Sequence, residues 1–356
     1  MKKKFRIIPL LLVLMLTVTM ITGCGGNKSS GEREIKDMAG RTVNIPVAEK
    51  IEKVYAGGST AGIYVYTLAP DKLLGWSFPL NDVEKSMILE KYHDLPAFGM
   101  AENVNYETVI KAGPQICINV GTLGEAFTDE CDKLQENLGI PVVGVDGDLL
   151  KSSEAYKFMG EVLGMEDEAA KLSTYIDNTF AQLDKMDVKD NEKVSVYYGN
   201  GENYLDTAPK GSPHAQILDL VKANNVADLE LGEGGRVQVS TEQVLAWDPD
   251  VVLLNGEPKA NLTGPVVAKK FMKDAKYKTL KAVKAEKVYG TPNAPFSWID
   301  RPPATNRIVG LKWLSAKLYP DKVDFDLDKE VKEFFKLFYH KELTDKDLTK
   351  LYNSEI

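Results

Sequence analysis

The sequence predicts two α/β lobes joined by a long helix, with a ligand crevice between the lobes. Three observations carry that expectation. Apolar strand-like runs alternate with helical patterns up to about residue 151 and again from about residue 188, the signature of a parallel or mostly parallel sheet layered with helices. Between them, residues 152–186 read as nearly unbroken helix, with Gly164 as the expected break. Finally, the phrase NYETVIKAGPQICIN at 105–119 returns in altered form as STEQVLAWDPDVVLLN at 240–255. A chain of 356 residues with 44% hydrophobic content is long and apolar enough for two packed domains.

The chain opens with MKKKFRIIPLLLVLMLTVTMITGC. A basic start (Lys2, Lys3, Lys4, Arg6) precedes an apolar run too short and wrongly flanked for a comfortable spanning helix, so residues 1–23 are expected to be an export signal. Ile21-Thr22-Gly23-Cys24 resembles the bacterial lipobox. That resemblance implies lipidation of Cys24 and a protein tethered at the outer face of the cytoplasmic membrane, because two acyl chains together hold where one is marginal. Residues 24–33, polar and Gly/Ser-bearing, are expected to be the flexible tether. Losing the four positive charges of the signal takes the formal charge from −8 to −12, which argues against nucleic acid or an anionic headgroup surface as partner. Cys117 in PQICINV reads as a small buried hydrophobe and Cys131 lies in a helical pattern; no disulfide is expected between them.

In the first lobe, residues 34–151, REIKDMAGRTVNIP reads as a hairpin turning at Gly40. IEKVYAGG is a strand ending in glycines, followed by a helix through TAGIYVYTLA, a short strand near LLGWSF and a helix over DVEKSMILEKYH. The first copy of the repeated phrase, a helix over DECDKLQENLG and the strand IPVVGVD complete it. The linking helix is placed at 152–187; a helix of roughly 20 residues spans about 30 Å and can act as a strut. In the second lobe, residues 188–356, NEKVSVYYGNG echoes IEKVYAGGST, and SPHAQILDLVKANN is a helix opened by Ser212 and Pro213. The second copy of the phrase follows, and the chain closes with helices over ATNRIVGLKWLSAKLYP and DKEVKEFFKLFYHKELTDKDLTKLY. Together these elements make two Rossmann-like lobes.

Aligned on their glutamates, the two phrases share E-x-V-[IL]-x-x-x-P, from Glu107 to Pro114 and from Glu242 to Pro249. Asn105 and Ser240 are good N-caps, and Ser240 with Gln243 fits a capping box, which puts each glutamate in a first helical turn. A charge there stabilises the helix by about 0.3–1 kcal/mol. Two matched glutamates on two lobes also offer paired negative points to a partner. The lipobox, the REIKDMAGRTVNIP opening, the two phrases, the helical link and the ending together resemble a substrate-binding lipoprotein of an ABC importer, of the class carrying iron–siderophore complexes, corrinoids and haem. The resemblance covers essentially all of the mature chain. It implies that Glu107 and Glu242 dock on a permease dimer that works with an ATPase, that the protein is a monomer, and that Ala101 and Arg236, six residues before each glutamate, line the crevice.

Arg236 would favour an anionic group, or be a solvated arginine on the loop GEGGR. Tyr64, Trp76 and Phe78 in the first lobe and Tyr204, His214, Trp298 and Arg301 in the second lie near expected strand ends and are further ligand candidates, with core or surface packing as the competing role. SWIDRPPATNR stands out, because Pro302 and Pro303 stiffen a loop flanked by Trp298 and Arg301. A bare zinc or manganese ion is disfavoured as cargo, since the only histidines are His93, His214 and His340 and two of them fall in helical segments. No G-x-S-x-G, H-E-x-x-H, Walker or G-x-G-x-x-G motif is present, so no enzyme class has its usual signature. No intrinsic cofactor is expected, and the transported cargo is ranked ferric siderophore, then corrinoid, then haem.

Overall fold

The computed structural model describes residues 31–256 and 262–353; the export signal, Cys24 and most of the tether lie outside them. The first lobe runs β1 (Glu32–Lys36), β2 (Thr42–Pro46), β3 (Val54–Ala56), α1 (Ser59–Leu68), α2 (Asp82–Met87), α3 (Tyr106–Ala112), β4 (Ile116–Gly121), α4 (Glu125–Leu138) and β5 (Val142–Asp146). Helices α5 (Ser152–Leu163) and α6 (Glu166–Asp184) form the link. The second lobe contains β6 (Ser195–Asn200), β7 (Asp206–Thr207), α7 (Gln216–Leu220), β8 (Asn224–Asn225), β9 (Val237–Gln238), α8 (Thr241–Trp247) and β10 (Val251–Leu254), followed by α9 (Gly264–Lys273), α10 (Lys281–Lys284) and β11 (Val288–Gly290). Helices α11 (Asn306–Leu318), α12 (Leu327–Phe338) and α13 (Asp345–Asn353) end the described chain.

The expected hairpin is present as β1 and β2, antiparallel, with Gly40 at φ +83° in the turn. Its turn is bolted to β5: the buried Asp37 carboxylate accepts from Arg41 N (2.8 Å) and Gly144 N (3.0 Å). The strand begins inside the stretch expected to be tether. Arg33 is held there because its guanidinium donates to the carbonyls of Glu161 (2.5 Å) and Val162 (3.0 Å), which end α5.

Strands β3, β4 and β5 pair in parallel, and bridges Val54–Leu73 and Trp76–Ala97 extend the same parallel layer. Side chains alternate across the sheet as period two requires. Val54, Ile116, Ile118, Val143 and Val145 face one core, while Tyr55, Cys117 and Val142 face another under α4. Cys117 and Cys131 are buried and free. In the second lobe β6, β10 and β11 are parallel, β8 joins β6 in parallel, and β7 and β9 add antiparallel pairings. Both lobes thus have a parallel sheet at their centre, and the second adds antiparallel strands to it.

The helical link differs from a single strut. Gly164, at φ +67°, ends α5 as expected, but α6 then turns back along α5 rather than continuing its line. Ser173 Oγ donates to Ser153 O at 3.1 Å, Lys157 meets Asp177 at 3.2 Å, and Gly160 lies so close to Ala169 that an added Cβ would stand 2.5 Å from it. The 19 residues of α6, about 28 Å at the usual rise, are the strut. Against it pack α11 and α12. Val331, Phe334, Phe335 and Phe338 are all buried, one apolar face at helical spacing. Lys312, 1% exposed, donates to Gln182 Oε1 (2.6 Å) and Glu330 Oε2 (2.5 Å), tying α6, α11 and α12 together. One apolar core therefore runs from the first sheet through α5, α6, α11 and α12 to the second sheet.

Backbone contact fixes the loop before α11. Gly310 faces the carbonyl of Trp298 so closely that a Cβ would stand 1.7 Å from that oxygen. Gly310→Ala is expected to destabilise the protein by about 3 kcal/mol, at the upper end of overpacking costs, read as a lowered urea midpoint; an unchanged midpoint would contradict this packing.

Candidate functional site

In a parallel sheet all strands end at the same edge, and loops leaving that edge line a crevice. Here the two lobes turn those edges toward each other. Gln216 of α7 donates through Nε2 to Asp148 Oδ1, just beyond β5, at 3.3 Å, and its Oε1 accepts from Arg307 Nη2 at 3.0 Å. This chain crosses from one lobe to the other. Deeper, Thr67, Tyr156 and Thr305 form a buried hydroxyl relay between lobes, at 2.6 and 2.5 Å.

On the second-lobe side, Asp300 is 1% exposed and organises the floor. Its Oδ1 is 2.6 Å from His214 Nδ1, and its Oδ2 accepts from Arg236 Nη2. His214 is placed by Ser212, whose Oγ accepts the His214 N–H at 3.2 Å; the Nε2 of the ring faces Gly234 O at 3.0 Å. Both ring nitrogens therefore face oxygen atoms. Arg236 also reaches Asp206 Oδ2 at 3.3 Å. Burial opposes its charge, but Asp300 and Asp206 outweigh that and raise its pKa.

Arg236 is therefore already neutralised by two carboxylates and is not the open anion hook that its sequence position suggested. Trp298 is wholly buried, with Nε1 donating to Ala294 O at 3.2 Å and its ring against Phe335, so it packs rather than touching a ligand. Trp76 is likewise core, its Nε1 on Tyr92 O at 2.9 Å. Tyr64 stacks on Tyr156 at 5.0 Å with its hydroxyl on Ser152 Oγ at 3.4 Å. Tyr204 turns its ring to Phe271 on the far face of the second sheet. In each of these four cases the ring is engaged in packing, the competing role that the sequence left open. Arg301, Phe78 and Ala101 are exposed, and His214 stands on the floor.

Sequence reasoning passed over Gln216, Tyr198, Asn200 and Arg307. Two of these had signals. Arg307 closes the segment SWIDRPPATNR, and Asn200 is a polar residue at the end of an apolar strand, immediately before a glycine. Arg307 is 4% exposed and donates to Gln216 and to Pro213 O (3.4 Å), both neutral acceptors. Burial pushes its pKa down.

Exposed apolar side chains follow the strand ends of both lobes. Seven large hydrophobic side chains are notably exposed among the described residues. Six of them follow strand ends at the crevice edge: Phe78, Met100, Leu123 and Leu150 in the first lobe, Leu229 and Leu231 in the second. Among the described residues no group of three or more His, Cys, Asp or Glu is arranged to hold a metal ion.

The repeated phrase folds the same way twice. Asn105 Oδ1 accepts from Thr108 N at 3.0 Å and Ser240 Oγ accepts from Gln243 N at 3.1 Å. Each cap opens a seven-residue helix that buries one valine, Val109 or Val244, and ends in a left-handed residue, Gly113 or Asp248. Glu107 and Glu242 are exposed in the first turns. Hydrogen bonds from its own N–H and from Ser240 hold Glu242 below the usual carboxylate range.

Residues 74–295, more than half of the chain, match the family described as periplasmic binding protein. The chain belongs to the periplasmic binding proteins. Among curated relatives, this binding protein is 24% identical over 297 residues to the high-affinity heme uptake system protein IsdE of Staphylococcus aureus, covering 82% of the chain and 91% of that relative. It is 30% identical over 154 residues to the molybdate-binding protein MolA of Haemophilus influenzae, a match spanning 43% of the chain and 41% of that relative. An ABC transporter solute-binding protein from Sulfurospirillum deleyianum superposes with a TM-score of 0.78 at 27% identity, over 90% of this chain and 99% of that one. The binding protein is thus a substrate-binding component of an ABC importer and not an enzyme.

Asp300 is the pivot of the floor. Asp300→Asn is expected to cost about 3 kcal/mol, since it strips a buried guanidinium of its main counter-charge; chemical denaturation of the variant checks this.

Proposed function

We propose that this binding protein captures a metal-bearing organic complex, a ferric siderophore ahead of a corrinoid or haem, and hands it to a membrane permease. The observation that carries the reading is the apolar rim: six exposed hydrophobic side chains stand on loops leaving the strand ends of the two lobes, where an organic cargo would cover them. A bare ion would leave that rim wet, and it needs convergent carboxylate and imidazole ligands instead. The name of the haem-uptake relative agrees with an organic cargo, while that of the molybdate-binding relative points to a compact anion.

The delivery step rests on Glu107 and Glu242. They occupy equivalent first turns in the two lobes, exposed and uncommitted to any salt bridge among the described residues. A two-subunit permease with basic pockets would engage both, and the lipid on Cys24 would keep the monomer at the outer membrane face beside it.

Calorimetric titration of the signal-free protein with ferric siderophores, a corrinoid, haem and Zn²⁺ tests the cargo. One-to-one binding of a ferric siderophore is expected; saturable binding of Zn²⁺ alone would overturn the reading. Because one core spans both lobes, X-ray scattering should show little change in radius of gyration on binding. The double variant Glu107→Ala/Glu242→Ala should abolish uptake by whole cells while leaving cargo affinity within twofold, and normal uptake would remove the docking role.

A further inference from the structure

Four residues of the second lobe share an unusual property. Buried polar atoms are nearly always hydrogen-bonded, and each exception calls for an explanation. Eleven side-chain atoms among the described residues are buried without a partner, and five of them belong to Tyr198, Asn200, Arg236 and Arg307. They are the Tyr198 hydroxyl, both amide atoms of Asn200, and the Nε of each arginine. Tyr198 and Asn200 are two apart on β6 and so share a face, and Asn200 pairs with Asp206, the partner of Arg236. Tyr198 feels the charges of Asp300, Arg236 and Arg307.

Arg307 is the informative member. It is 4% exposed, and among the described residues it makes no salt bridge. Its hydrogen bonds go to a carbonyl and a carboxamide oxygen, both uncharged. Arg236 nearby has two carboxylates, so its charge is spent. A buried guanidinium that no carboxylate touches, with Asp300 and Asp148 acting on it only from a distance, is a costly arrangement that an arriving anion relieves.

We infer that Arg307, with the Asn200 amide and the Tyr198 hydroxyl, forms an anion subsite in the floor of the crevice that takes a compact group of negatively charged oxygens. This deepens the receptor reading and rests on it: the cargo presents such a group inward while its organic body lies under the apolar rim. The charged oxygens can come from a carboxylate-bearing chelate or from a free inorganic oxoanion.

The test uses the signal-free protein with three probes: ferric citrate, sodium molybdate, and ferrioxamine B as a chelate without an anionic group. Thermal unfolding and calorimetry are run on the wild type, on Arg307→Met and on Asn200→Leu. Ferric citrate or molybdate is expected to raise Tm of the wild type, and each substitution should weaken that anion at least about tenfold, as loss of a charge-assisted hydrogen bond does. Without probe, Asn200→Leu should unfold at or above the wild-type temperature, because it removes two unpartnered buried polar atoms, whereas Arg307→Met also gives up the bonds to Gln216 and Pro213. A merely structural Arg307 would instead give a less stable variant with unchanged anion affinity, and that result overturns the subsite. No response of the wild type to either anion overturns it as well; if ferrioxamine B still binds, the receptor reading survives. Molybdate binding without any chelate binding supports the subsite and overturns the organic cargo.

Discussion

One apolar core, shared by two sheets, is the constraint on which the rest of this molecule depends. A sheet layered with helices usually closes its own core; here the inner faces of both sheets drain into a common one filled by α5, α6, α11 and α12. The four buried side chains of α12 and the buried ammonium of Lys312 hold that joint. Burial depresses the Lys312 pKa while Glu330 supports its charge, so the joint combines non-directional burial with one directional tie. The crevice is what remains where the strand ends cannot reach each other, bridged by Gln216 and by the hydroxyls of Tyr156 and Thr305.

That joint sets what the floor can do. Asp300 follows a loop whose backbone is pressed against α11 at Gly310, and Arg307 lies in the first turn of the same helix. The charges of Asp300 and Arg307 are therefore mounted beside the shared core. Asp300 holds both Arg236 and His214 on one carboxylate, whereas Arg307 makes no salt bridge among the described residues and donates only to neutral acceptors. Packing decides which arginine is available to a ligand.

Much of the fold was legible in the sequence because it rests on local rules. Strand periodicity, the caps at Asn105 and Ser240, and the stop at Gly164 each depend on a few neighbouring residues, and each appears in the structure. The folding back of α5 onto α6 was not legible, since it turns on the close approach of Gly160 and Ala169, a tertiary matter. The floor was read less well for the same reason. Sequence position brought forward Trp298, Trp76, Tyr64 and Tyr204 as rings for a ligand, yet each ring has a packing partner that only the fold supplies. Arg236 and Arg307 look alike in sequence; what separates them is the location of Asp206 and Asp300.

The antiparallel run of helices against strands has one more effect. Helices α3 and α8 start at the sheet edge where the strands end, so Glu107 and Glu242 share that edge with the crevice mouth. A partner that grips both glutamates must sit across the opening. With such a partner in place, loading and unloading would use a single doorway, closed to solvent for as long as the partner stays, and cargo set free by a small parting of the lobes would have nowhere to diffuse except into whatever is docked there.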